Sequence, residues 1–122
     1  MDLDRSRTRV VVLEDDRDVA ALLVEILTSE GFDALRADAD TSAEQLALHM
    51  PRLLVVDLFL GPETAAEVLE RLRRLGLAQV PVLLLSGAPD LERHAHALGA
   101  AATVSKPFEI DALVSACRSL AN

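Results

Sequence analysis

The sequence predicts an α/β fold, an open five-stranded parallel sheet with helices on both faces, and three observations carry that prediction. Apolar runs of strand length recur along the chain, and Val10 to Leu13, Leu53 to Val56 and Val82 to Leu85 show no polar alternation, as strands covered on both faces do. Between the runs lie stretches whose apolar residues return every third or fourth position, the pattern of one helical face. Every connection is short, so successive strands must run parallel through helical crossovers.

Met1 to Thr8, rich in Asp and Arg and without an apolar period, reads as a flexible leader, which leaves 9–122 as one domain. Arg9-Val10-Val11-Val12-Leu13 is the first strand and ends in the acidic triplet Glu14-Asp15-Asp16. Val19, Leu22, Leu23, Ile26 and Leu27 then share one helical face, with Asp16 and Asp18 suited to the cap and first turn and Gly31 to the stop. Phe32 to Ala37 is a weaker, partly polar strand of the kind found at a sheet edge. Asp40 or Thr41 caps a short helix through Leu46 and Leu48, and Pro51 closes the unit.

Leu53 to Leu60 is the central apolar run, with Asp57 inside it. After Gly61-Pro62 the spacing predicts a helix over 63–75, with Val68, Leu69, Leu72 and Leu75 inward and the pairs Glu67/Arg71 and Glu70/Arg74 outward. Val80 to Gly87 is the fourth strand and carries Ser86 near its end. Leu91 to Leu98 forms a helix of low apolar content, and Ala102 to Ser105 is the fifth strand, before Lys106-Pro107. The last helix places Ile110, Leu113, Val114, Cys117 and Leu120 on one face. The flavodoxin-like order 2-1-3-4-5 fits best, because strands one and three then flank the switch point and bring Glu14, Asp15 and Asp57 to one crevice.

Composition narrows the function. At 122 residues the chain is one domain's worth, and with 51% hydrophobic but only 2% aromatic residues its core must be aliphatic. A net charge of −8 repels phosphate backbones, and the cluster Arg71 to Arg74 reads as a solvated helix face, so direct nucleic-acid binding is not expected. Cys117 is alone and sits on an apolar stripe, which makes it a small core residue and rules out an intrachain disulfide. His49, His94 and His96 lack ligand spacing and read as surface residues. The amino end lacks a signal-peptide pattern, and no apolar stretch reaches the roughly 18 residues of a membrane span. The expectation is a cytoplasmic protein without membrane insertion.

Like charges at the crevice need a counter-ion, since two carboxylates about 4 Å apart repel by about 4 kcal/mol at an effective dielectric near 20. Oxygen-only ligands open to solvent suit Mg²⁺, Lys106 can reach the same crevice as a mobile cation, and Ser86 offers a hydroxyl beside it. An Asp nucleophile with such neighbours makes a phosphoryl-transfer site in which positioning and charge neutralisation do most of the chemistry. Each residue also has an ordinary reading: Asp57 as a turn or cap, Glu14 to Asp16 as a solvated turn, Ser86 as a turn hydroxyl, Lys106 as surface charge. Their joint position at strand ends favours the chemical one.

The set Leu13-Glu14-Asp15-Asp16, Asp57-Leu58, Ser86-Gly87-Ala88 and Lys106-Pro107-Phe108 resembles the receiver domain of two-component response regulators over nearly the whole chain from Arg9. The resemblance implies that Asp57 accepts a phosphoryl group from a phosphohistidine of a sensor histidine kinase or phosphotransfer protein. It implies Mg²⁺ held by Asp15, Asp57 and the backbone carbonyl of Phe59, with Glu14 acting through water, Lys106 pairing with the phosphoryl group and Ser86 moving toward it. It also implies a cis peptide at Lys106-Pro107, a switch rather than an enzyme with an external substrate, and a downstream protein partner or output domain. No output domain follows within the sequence, and a homodimer stays open.

The chain departs from the family pattern at four places. Gly61-Pro62 replaces the usual Pro-Gly, Thr64-Ala65 the usual Asp-Gly, and Thr103 the switch aromatic, while Phe59 and Ala88 offer no polar side chain near the phosphate and are expected to alter its lifetime. Two alternatives accompany the main reading: a pseudo-receiver that binds partners without being phosphorylated, and a flavodoxin-like FMN protein, disfavoured by the absence of Trp, Tyr and a Ser/Thr/Gly-rich phosphate loop.

Overall fold

A computed structural model describes residues 8–38, 41, 43–60, 63–87 and 89–121, so all of the expected leader over 1–8 except Thr8, the Asp40 cap, Gly61-Pro62 and Ala88 lie outside the described residues. The main sheet contains β1 (Arg9–Leu13), β2 (Asp33–Ala37), β3 (Leu53–Asp57), β6 (Val82–Ser86) and β7 (Ala102–Ser105), with the hairpin strands β4 (Phe59–Leu60) and β5 (Glu63–Thr64) between β3 and β6. All main-sheet pairs are parallel and the spatial order is β2-β1-β3-β6-β7, which is 2-1-3-4-5 when the five main strands are counted alone. The helices are α1 (Arg17–Ser29), α2 (Ala43–Leu48), α3 (Ala65–Arg74), α4 (Leu91–Leu98) and α5 (Ile110–Ala121).

The unbroken apolar runs have a simple cause. Alternate residues of β1, β3 and β6 feed two separate cores: Val11, Leu13, Leu54, Val56 and Leu84 pack with Leu46, Val68, Leu69, Leu72 and Leu91 of α2 to α4, whereas Val10, Val12, Leu53, Val55, Leu83 and Leu85 pack with Leu23, Leu27, Leu113 and Cys117 of α1 and α5. Both side-chain sets are removed from water, so no strand position tolerates a polar residue until the strand reaches the crevice. Helix α1 starts where Asp16 accepts from the Asp18 and Val19 N–H groups at 3.0 and 3.2 Å, and Gly31, at φ 98°, turns the chain away after Glu30.

Several boundaries differ from the pattern reading. The run from Leu53 to Leu60 is not one strand: β3 ends at Asp57, and Phe59–Leu60 turns back to pair antiparallel with Glu63–Thr64. That pairing takes residues 63 and 64 out of the expected helix, so α3 begins at Ala65. The Thr41 hydroxyl accepts from the Asp38 N–H at 3.1 Å, closing a turn at the end of β2. Ile110, expected to face inward, is 53% exposed at the start of α5, and Leu48 is exposed at the end of α2. Among the described residues no helix is long and apolar enough to cross a membrane.

Candidate functional site

Sheet topology builds the site. With β1 beside β3 in register Leu13↔Val56, the residue after each of these paired positions, Glu14 and Asp57, falls at the same level of the sheet. On the other side Asp57 pairs with Leu85, one residue before Ser86, and Ser86 pairs with Ser105, one residue before Lys106. Four adjacent strand ends therefore deliver Glu14, Asp57, Ser86 and Lys106 to one edge. Ligand oxygens of Glu14, Asp15 and Asp57 lie within 4.8 Å of one another. Among the described residues Glu14, Asp57 and Ser86 are the buried polar or charged ones, at 2%, 7% and 3% exposure, while Asp15 is exposed on the turn into α1.

Lys106 crosses the crevice to these acids. Its Nζ donates to Glu14 Oε1 at 2.5 Å and to Asp57 Oδ2 at 3.4 Å. Its backbone N–H donates to the Ser86 carbonyl at 2.9 Å, and the following Lys106-Pro107 bond is cis, as expected. Gly87 runs close to this strand end: a Cβ there would lie 3.6 Å from the Lys106 carbonyl oxygen. The other Glu14 oxygen, Oε2, accepts from the Asp16 N–H at 3.4 Å.

The charge balance is uneven. Burial and then the neighbouring Asp57 carboxylate push the Glu14 carboxyl above its ordinary value, against the lowering pull of Lys106. Burial acts to lower the Lys106 pKa, but its bond to Glu14 and the charge of Asp57 outweigh that and hold the ammonium above its ordinary value. Beyond burial, the asymmetry has a simple source: a single ammonium gains from two anions, whereas Glu14 shares that cation with Asp57 and is repelled by it. Such a set of hard oxygens, short of positive charge and open to solvent through Asp15, fits a divalent cation that keeps part of its water shell.

The chain after Asp57 bears on the same site. The Ala65 N–H donates to the Leu58 carbonyl at 3.3 Å, which makes that pair the hydrogen-bonded one; the alternation of an antiparallel ladder then leaves the Phe59 carbonyl directed away from its partner Thr64. At the next strand, Thr103 donates its hydroxyl to Glu92 Oε1 of α4 at 2.7 Å. The position expected to hold a switch aromatic thus holds a polar tie between β7 and α4.

Pattern reading gave no reason to single out Arg36, which the structure brings to the edge of the site. Its Nε donates to the Glu14 carbonyl oxygen at 3.3 Å and its NH2 pairs with Asp38 at 2.9 Å. The only signal in the sequence was a cation in an edge strand.

The response regulator receiver domain family matches residues 10–118, most of the chain and all the strand ends that carry the site. The chain belongs to that family. This receiver domain is 32% identical over 110 residues to the nitrogen assimilation regulatory protein NtrX of Azorhizobium caulinodans, covering 86% of this chain and 24% of that protein. It is 33% identical over 110 residues to the cell cycle response regulator CtrA of Brucella ovis, covering 88% of this chain and 47% of that one. The receiver thus spans a quarter to a half of the length of these relatives. Its fold superposes on the chemotaxis protein CheY4 of Vibrio cholerae with a TM-score of 0.85 at 18% identity, covering 93% of this chain and 98% of that one. Membership in the receiver family sets aside the FMN reading.

Proposed function

We propose that this receiver is a phosphoacceptor switch of a two-component phosphorelay, with Asp57 as the residue phosphorylated. The observation that carries the proposal is the convergence of Glu14, Asp15 and Asp57 oxygens within 4.8 Å of one another around a lysine ammonium, at the ends of adjacent strands. An Asp57 carboxylate oxygen attacks the phosphorus of a phosphohistidine on a sensor kinase or phosphotransfer protein. The new O–P bond forms as the N–P bond breaks, and the departing imidazole nitrogen keeps the electron pair and takes a proton from water.

Asp15, Asp57 and the Phe59 carbonyl would hold Mg²⁺, with Glu14 acting through water, and the bound cation would supply charge neutralisation for the phosphoryl oxygens. Lys106 leaves Glu14 to pair with the new phosphoryl group, and the Ser86 hydroxyl donates to it from the neighbouring strand end. The rigid, doubly covered β3 matters here because misplacement of the nucleophile by about an ångström costs rate. The chain acts only on its own Asp57 and turns over no external substrate. Its output is altered binding of a downstream protein partner or attached domain, in the cytoplasm where its phosphodonor acts.

Incubation with acetyl phosphate and Mg²⁺, read by intact mass, tests this. One phosphoryl adduct that does not form when EDTA replaces Mg²⁺ and is absent from Asp57→Asn is expected. A chain that takes no phosphate makes the protein a pseudo-receiver, and an adduct that persists in Asp57→Asn places the phosphoryl group on another residue; either result overturns the proposal.

A further inference from the structure

We propose that Arg36 is a positioning residue for cation binding, fixing the backbone of the acidic turn through the Glu14 carbonyl. The inference rests on the reading of Glu14, Asp15 and Asp57 as a Mg²⁺ site and adds a residue from a strand that contributes no ligand.

The turn Glu14-Asp15-Asp16 links β1 to α1 and carries the one exposed carboxylate of the cluster. Besides the Lys106 bond to the Glu14 carboxylate, three ties hold it among the described residues. Asp16 caps α1, the Asp16 N–H binds Glu14 Oε2, and the Arg36 Nε binds the Glu14 carbonyl oxygen from β2. The first two ties lie within the turn and its own helix; among the described residues only the third anchors the turn's backbone to a neighbouring strand.

Arg36 does not act as the counter-charge of the acids. It meets a backbone oxygen rather than a carboxylate, and its guanidinium is matched by Asp38 at 2.9 Å. Asp38 is held in turn, because its N–H donates to Thr41 Oγ1 at 3.1 Å and its carbonyl accepts from the Thr41 N–H at 3.0 Å. The chain of contacts therefore runs from a closed turn after β2, through Asp38 and the fork of Arg36, to the peptide unit immediately before Asp15. A planar guanidinium can serve Glu14 and Asp38 at once, which an ammonium cannot do in the same geometry. Removing a residue that orients metal ligands through a hydrogen bond commonly changes metal affinity about tenfold or more.

Geometry and charge predict opposite outcomes. If Arg36 acted on the site only as a positive charge, its removal would tighten cation binding; if it positions the turn, removal weakens it. The test is an NMR amide-shift titration of the whole chain with MgCl₂, comparing the wild type with Arg36→Met and Arg36→Lys, with thermal melts confirming folding. The positioning role predicts about tenfold weaker Mg²⁺ binding in Arg36→Met, with shifted Asp15 and Asp16 amides before any Mg²⁺ is added, and an intermediate loss in Arg36→Lys. Arg36→Lys carries the comparison if Arg36→Met does not fold. Wild-type affinity, or tighter binding, in the folded variants overturns the role of Arg36 alone. A wild-type chain whose Asp15 and Asp57 amides ignore Mg²⁺ overturns the cation-site reading and this role with it.

Discussion

Glu14 and Lys106 are the residues at which the site's electrostatics can be read as stability. Because the Glu14 carboxyl is raised, its contribution to folding is present below the ordinary carboxylate range and is lost as pH rises through its elevated value. Ionised Glu14 therefore works against the fold at neutral pH without a divalent cation. Glu14→Gln should stabilise the chain at pH 7 in EDTA by about 1–2 kcal/mol, a fraction of the about 4 kcal/mol repulsion of two close carboxylates after Lys106 has offset part of it. Urea melts should show that gain shrinking toward pH 4; a gain that stays constant with pH would point to packing instead. Cys117 makes a separate test. Burial pushes its thiol up to about 11, and it is wholly enclosed by the core under α1 and α5. A thiol reagent at pH 8 should leave the native chain unlabelled and modify it in denaturant. The raised thiol also means that stability falls as pH climbs above about 9, where the unfolded chain begins to lose the proton and the folded one does not.

Among the elements, α4 is held in the most unusual way. Arg73 of α3 donates to the Leu98 carbonyl at its last turn, Thr103 of β7 binds Glu92 on its first turn, and its N-cap Asp90 sits at φ 62° without a side-chain cap bond. Its carboxyl end is thus fixed by a guanidinium, while its amino end, joined to Ser86 by a short loop and anchored by the buried Leu91, is linked to β7 by one exposed side-chain hydrogen bond. Thr103→Val should raise amide hydrogen exchange in α4 about fivefold, the scale of one such bond, and leave α1 unchanged. Equal exchange in both proteins would show that the Thr103 tie contributes nothing to the helix. Neither tie was legible in the sequence, because each joins residues on separate elements whose approach depends on the folded sheet. The helix itself was legible to the residue at both ends, as were β1 and β7. The hairpin after Asp57 was not, since Phe59–Leu60 continues the apolar run of β3 and Glu63–Thr64 continues into the helical period of α3. Two-residue strands leave too little periodicity to detect.

At the scale of the whole molecule, doubly covered strands made the fold legible and strand ends made the site legible. An aspartate inside an apolar run, an acidic triplet after another, and a serine and a lysine closing two more could meet only in one strand order, and that order is the one observed. Arg36 escaped because a single cation on an edge strand carries no pattern. The stability of the scaffold follows from its two cores: Leu84 of β6 is fully buried between the sheet and the helices on one face, so Leu84→Ala should cost about 3–4 kcal/mol in chemical denaturation. A loss below about 1 kcal/mol would mean that this face can collapse around the cavity. The central claim, that the scaffold exists to present Asp57 to a phosphodonor, has a more direct test. After exposure to acetyl phosphate and Mg²⁺, borohydride reduction converts an aspartyl phosphate to homoserine, which peptide mass mapping locates in the sequence. Homoserine at position 57 alone, and none in samples treated with EDTA, is the predicted result; homoserine at 15 or elsewhere, or none with Mg²⁺ present, would contradict the account.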